Sequence, residues 1–186
     1  MWEKMIEYEL RYDPGVPMDT LIVMNGDCDK LDHFDWTKTP GGRLMVRHRE
    51  NTGGSFGGYN YAYKFFDYPY DLFTEDDLFV YGDNYGVKLI ERFKKLKCGF
   101  LALIGVATYD KHHAHGGVGI TSRQVLQKVF KGDLPHYGGL WDKQAVIDNG
   151  EIEFTYQIKQ TGMSLEAYGD DSWSPDNLIM PYYDLQ

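Results

Sequence analysis

Tyr70-Asp71-Leu72-Phe73-Thr74-Glu75-Asp76-Asp77 is the stretch on which the reading of the chain turns. Its first five residues are short and rich in strand formers, and they run straight into three acids. In an open α/β sheet, ligands gather beyond the carboxyl ends of the strands. Three consecutive carboxylates placed there repel one another unless a cation or hydrogen-bond donors compensate. Alternate residues of an extended segment point the same way, so Glu75 and Asp77 can face one site together. Such hard oxygen ligands suit Mg²⁺ or Mn²⁺, which keep positions open for phosphates. The competing reading is a solvated acidic turn. The position of the acids after an apolar strand favours the metal.

Working outward, Thr20-Leu21-Ile22-Val23-Met24 is a second apolar run, opening into Asn25-Gly26-Asp27, and Leu44-Met45-Val46 is a third, followed by the charged Arg47 to Glu50. Both read as buried strands. Trp2, Met5, Ile6 and Leu10 recur at helical spacing, which predicts a helix over residues 2–12 that stops at Asp13-Pro14-Gly15. The glycine-rich Asn51 to Gly58 reads as a turn leading into a helix from Tyr59 to Phe66. Beyond the acids, Leu89, Ile90, Phe93 and Leu96 share one face of a helix over 87–96, and Phe100 to Val106 reads as a central strand. Ser122 is placed to cap a helix running to Lys131. Residues 132–143 read as loop, Ile152 to Ile158 as a helix closing at Gly162, Ser164 to Ala167 as a short strand, and the tail from Asp170 as irregular. Strands alternating with helices predict an α/β fold with a mainly parallel sheet flanked by helices.

The chain has 186 residues and shows no internal repeat, which fits one domain. A net charge of −9 argues against a nucleic-acid partner, because phosphate neutralisation needs a positive face. It leaves a nucleotide possible, since one divalent ion neutralises a few phosphates. Cys28 and Cys98 stand far apart, in no metal-ligand spacing, and read as free thiols. The longest apolar stretch, Gly99 to Ala107, is about half of a membrane span. A soluble cytoplasmic protein is expected.

Aromatic residues make up 16% of the chain. Trp141, Trp173 and the tyrosines from Tyr59 to Tyr63 could stack on sugar rings or belong to the core. His112, His113 and His115 raise the question of zinc, but no fourth ligand has suitable spacing and a loop is the better reading. The glycine-rich segment follows neither a Walker nor a dinucleotide pattern.

Taken in order, these pieces resemble inverting glycosyltransferases of the GT-A fold, a Rossmann-like architecture, and particularly family two and its rhamnosyltransferase-like relatives. The similar segments are Leu21 to Asp29, Arg49 to Asn60, Tyr70 to Asp77, His115 to Gly119 and Gly150 to Gly162. More distantly, the chain resembles capsid-glycosylating enzymes of large algal viruses, which would place it in host cytoplasm. At one point it departs from the family, which begins with a base-contacting strand, whereas residues 2–12 read as the helix that follows it.

The resemblance implies a nucleotide-sugar-binding half over about 1–107 and an acceptor-side half over about 108–186. It places Asn25, Asp27, Arg49, Asn51, Gly58 and Asp76 at a nucleotide-sugar donor, UDP-linked by expectation. Glu75 and Asp77 would hold Mn²⁺ or Mg²⁺. His115, Gly116, Gly117 and His136 would lie on the side of a glycan acceptor. Glu151 is the expected catalytic base, with Glu153 and Asp148 as alternatives; a solvated acid at a helix start is the competing reading of Glu151. Two other functions stay open: a sugar nucleotidyltransferase, which would release pyrophosphate, and a non-catalytic carbohydrate-binding module. The chain could also be part of a larger multidomain protein.

Overall fold

The computed structural model describes residues 2–26, 37–76, 78–80, 82–104, 106–107, 113–168 and 179–181. Asp27, Cys28, Asp77, His112 and Trp173, singled out above, lie outside these residues.

Helix α1 (Trp2–Arg11) lays Met5 and Ile6 against Ile22, Leu44 and Val46 of the first strands. Strand β1 (Thr20–Asn25) pairs in parallel with β3 (Arg43–Arg49), whose other edge takes β2 (Thr37–Lys38) antiparallel. The charged residues Arg47, His48 and Arg49 belong to β3 rather than following it, because their backbones pair with Val23, Met24 and Asn25. Helix α2 (Gly54–Tyr63) follows, then β4 (Tyr70–Phe73), the short β5 (Leu78–Val80) and α3 (Tyr85–Leu96). The second half brings β6 (Phe100–Ala102), a hairpin of β7 (Val106–Ala107) and β8 (His113–Ala114), a 3₁₀ turn at His115–Gly117, β9 (Gly119–Ser122) and α4 (Arg123–Phe130). Helix α5 (Lys143–Val146) continues through a π-helical turn (Ile147–Ile152) into α6 (Glu153–Gln160). Strand β10 (Leu165–Ala167) comes next, and β11 (Ile179–Pro181) pairs antiparallel with β5.

The architecture is mixed α/β. A three-stranded sheet in the order β1-β3-β2 stands beside a four-stranded one in the order β10-β6-β9-β4. Both are mixed: β6 pairs in parallel with β10, while β9 runs antiparallel to β6 and β4. This corrects the expectation of a mainly parallel sheet, since β9 returns from the β7–β8 hairpin between two strands of the opposite direction. Phe73, Phe100 and Ala102 face α2, α4 and α6, within a core of Phe56, Tyr59, Phe130, Phe154 and Ile158. Leu72, Leu101 and Ile120 face α3 on the other side, against Tyr85, Leu89 and Phe93.

Four further expectations are corrected. The helix expected over 59–66 starts inside the glycine run and ends at Tyr63. It begins there because the end of β3 and Thr52 leave room for nothing larger: a Cβ on Gly57 would lie 2.1 Å from the Thr52 carbonyl oxygen. The strand expected over 100–106 stops at Ala102. The helix expected from Ile152 begins at Lys143, where Asp142 caps it by accepting from the Ala145 N–H. Part of the tail expected to be irregular, Ile179–Pro181, is a strand. Helix α3 lies where its apolar spacing predicts and α4 where the Ser122 cap predicts, Ser122 accepting from the Val125 N–H. Tyr59 and Tyr63 are core residues, the latter buried beneath the Arg123 guanidinium at 3.8 Å. Cys98 is a free, buried thiol whose burial pushes it up to about 11, so it is inert. No helix among the described residues is long and apolar enough to cross a membrane.

Glu9, on α1, accepts from Thr20 Oγ1 at 3.1 Å and from Tyr85 Oη at 3.5 Å. Burial pushes its carboxyl from 4.5 up to about 7, against the lowering effect of those two bonds. With the folded pKa raised, the unfolded chain gives up its proton first, and folding stability falls as pH rises through the interval from 4.5 to about 7. Glu9→Gln is therefore expected to abolish this slope and to stabilise the protein at pH 8 by up to about 3 kcal/mol, with little effect at pH 4. Urea denaturation at the two pH values measures it.

Candidate functional site

The expected site residues fall into two groups at the start of α2. The first joins the carboxyl ends of β1 and β3. Arg49 Nη1 donates to Asn25 Oδ1 at 2.7 Å, and Nη2 donates to the Thr52 carbonyl at 2.9 Å and to Thr52 Oγ1 at 2.7 Å. Asn25 Nδ2 donates in turn to the Gly54 carbonyl at 3.1 Å. A guanidinium used in this way holds two strand ends on the helix start, so Asn25 and Arg49 are first of all structural. Gly58 lies against them, its missing Cβ 3.3 Å from Asn25 Nδ2. Asn51 differs: its Oδ1 is buried without a hydrogen-bond partner. An orphaned buried acceptor costs about 1–3 kcal/mol, so a ligand donor arriving there would relieve a standing cost.

The second group surrounds the 3₁₀ turn. Gly116 and Gly117 both have positive φ, at 62° and 65°. A Cβ on Gly116 would come within 2.9 Å of Glu75 Oε2, and one on Gly117 within 2.3 Å of the Phe56 ring. Conformation favours glycine at both positions, and at Gly117 the packed Phe56 ring requires it by space as well. Tyr59 Oη donates to the Thr74 carbonyl at 3.3 Å and to the Gly116 carbonyl at 3.2 Å, fastening the turn to the end of β4. Glu75 follows that strand end, and its Oε1 accepts from Ser55 Oγ at 2.5 Å.

Glu151 reaches the same turn at its backbone N–H. It sits in the π-helical turn, a distortion common at functional sites because it re-aims a side chain. The side chain is buried, and Oε2 accepts the Gly116 N–H at 2.8 Å. His115 Nδ1 lies 3.7 Å and His113 Nε2 3.8 Å from that oxygen. Burial alone would raise the carboxyl, but the adjacent His115, the Gly116 N–H bond and the second imidazole at His113 outweigh it. The carboxyl is held below its ordinary value of 4.5. It is therefore a carboxylate at neutral pH, although a weaker proton acceptor than an ordinary glutamate. His113 is buried in β8, not carried on an exposed loop, whereas His115 is exposed.

The remaining candidates lie apart from this meeting point. Glu153 accepts from Gln157 and Asp148 from Gln144, each along its own helix. Asp76 is exposed. His136 Nδ1 donates to the Leu134 carbonyl at 2.8 Å, which commits that nitrogen to the loop after α4. Among the described residues no three acidic, histidine or cysteine side chains form a metal cage. Ser55 is not singled out by the sequence, although it lies in the glycine-rich run, and His113 reads there as a loop residue because β8 is only two residues long. Trp141 is exposed, and its ring covers Gly54, whose Cβ would fall 2.6 Å from it.

Gly117→Ala tests how tightly the turn is fixed. Left-handed strain and the Phe56 overlap together should cost about 2–5 kcal/mol, read as a lowered Tm. Comparison with protein-family models, curated proteins and solved structures finds no match to this chain.

Proposed function

We propose that the chain is a glycosyltransferase that moves a sugar from a nucleotide-sugar donor to an acceptor hydroxyl. The observation carrying this reading is that Glu75 and Glu151 both approach a single glycine, Gly116, the one where a side chain would stand and the other at its N–H. Transfer needs one carboxylate at the departing diphosphate and another at the incoming hydroxyl, separated by about the size of a sugar ring. The orphaned Asn51 Oδ1 supports a ligand with a donor group near the end of β1. The exposed Trp141 beside Gly54 offers a flat face for a sugar.

Glu151 Oε2 takes the proton of the acceptor hydroxyl, whose oxygen forms the new bond to the anomeric carbon. The bond from that carbon to the phosphate oxygen breaks, and its electron pair leaves with the nucleoside diphosphate. Attack from the face opposite the leaving group inverts the anomeric centre. Two imidazoles and the Gly116 N–H hold Glu151 ionised and oriented. Glu75 is fixed by Ser55, and its oxygens are of the kind that Mg²⁺ or Mn²⁺ takes from one or two carboxylates plus substrate phosphates. Asp77 would be its partner ligand. When bound, such an ion would neutralise charge on the departing diphosphate.

Glu151→Gln should keep donor affinity within about threefold while lowering kcat by about 10²–10⁴-fold, the usual worth of a general base. Because the carboxyl lies below 4.5, kcat should not fall on the acid side until the pH passes below that value. Glu75→Ala and Asp77→Ala should abolish manganese-dependent hydrolysis of UDP-sugars, as a chelator should. Donor turnover untouched by all three substitutions would rule the reading out. Sugar binding without any donor cleavage would favour a carbohydrate-binding module.

A further inference from the structure

Among the described residues the two main sheets do not pair with each other. Strand β1 is the edge of one and β4 the edge of the other. Both strands line, over their whole length, one cavity of about 900 Å³. They run in the same direction. At their amino ends Tyr68 Oη donates to Asp19 Oδ2 at 2.8 Å. At their carboxyl ends Asn25 reaches Gly54 and Glu75 reaches Ser55, the first two residues of α2. Helix α2 roofs the gap with Gly58, Ala62 and Tyr63, while Met5 of α1 with Leu89 and Ile90 of α3 form its floor. The gap thus has two facing strand edges and two helical walls.

Backbone N–H and C=O groups along such edges require partners, and an open edge recruits them by strand addition. We propose that this gap is a binding slot for one extended segment of a second polypeptide, which adds as a strand between β1 and β4 and merges the two sheets. A lipid or other apolar ligand could fill the volume but could not serve two rows of backbone donors and acceptors. A second copy of the chain is a poor donor, because its described strands of four residues or more, β1, β3, β4 and β9, are already committed to sheets.

The chemistry of the partner follows from the walls. A strand covered by helices on both faces carries apolar residues at successive positions. Glu75 and Asp76 stand at the carboxyl end of the slot, whereas at the amino end Asp19 is paired with Arg43 at 2.6 Å and Asp71 with Arg123 at 3.2 Å; Lys94 and Glu9 are the other charged residues of the lining. The partner segment is therefore about six residues long, to match β1, apolar at its centre and basic at the end that meets Glu75 and Asp76. The inference does not depend on sugar transfer.

An eight-residue peptide with a Val-Ile-Val-Ile centre and two lysines at each end tests it on the full chain. Hydrogen exchange should slow at least tenfold in Thr20–Asn25 and in Tyr70–Phe73 together. The same peptide N-methylated at alternate centre residues keeps its apolar side chains but loses donors, and it should bind at least tenfold more weakly. Ala62→Trp, which fills the slot, should abolish binding in a protein whose circular dichroism is unchanged. Equal affinity of the N-methylated peptide, slowed exchange in one strand only, or no binding would overturn the proposal. So would protection of both strands that grows with protein concentration when no peptide is present, because the slot would then belong to a second copy.

Discussion

The candidate site depends on one constraint: two glycines in left-handed conformation, Gly116 beside the Glu75 carboxylate and Gly117 wedged against the Phe56 ring where no side chain fits. Their missing side chains let Phe56 of α2 and the carboxylate after β4 come close to the turn. Their backbone N–H and C=O then tie the turn to Glu151 and to Tyr59. A helix start, a strand end and a π-helical turn, distant in sequence, are brought to one point by this arrangement. A net hydrogen bond is worth only about 1 kcal/mol, so the position is secured by several contacts acting together.

The same economy governs the other polar groups. Arg49 serves three acceptors around the start of α2, which explains how a helix with so many glycines holds its place despite their poor intrinsic propensity. Asn51, close by, is left with an unserved oxygen. Where neighbouring groups are fully engaged and one is not, the unserved one is the better candidate for a ligand contact.

Much of the framework was legible in the sequence, and the reasons are local. Strands β1 and β4 were visible as apolar runs closed by polar turns. Helices α1 and α3 were visible from 3.6-residue spacing, since each buries a single face, and α4 from the serine that caps it. Helix α2 was only half visible, because its first turn is set by packing against β1 and β3. The direction of β9 was not legible, because antiparallel return depends on a hairpin whose strands are two residues each. At the site, Glu75, Gly116 and Glu151 could be nominated from residue type and order, but their meeting could not. Asn25, Arg49 and His136 show the opposite limit: a sequence does not reveal which polar groups the fold itself consumes.

The central claim is that the end of β4, the glycine turn and the π-helical turn form one ligand site. Paramagnetic broadening of backbone amide signals by Mn²⁺ in the presence of UDP tests it most directly, because the effect falls steeply with distance from the ion. The account predicts that Ser55, Glu75 and Gly116 broaden first, while Lys97 and Lys131 at the far helix ends stay sharp. Broadening centred elsewhere, or none at saturating UDP, would contradict it.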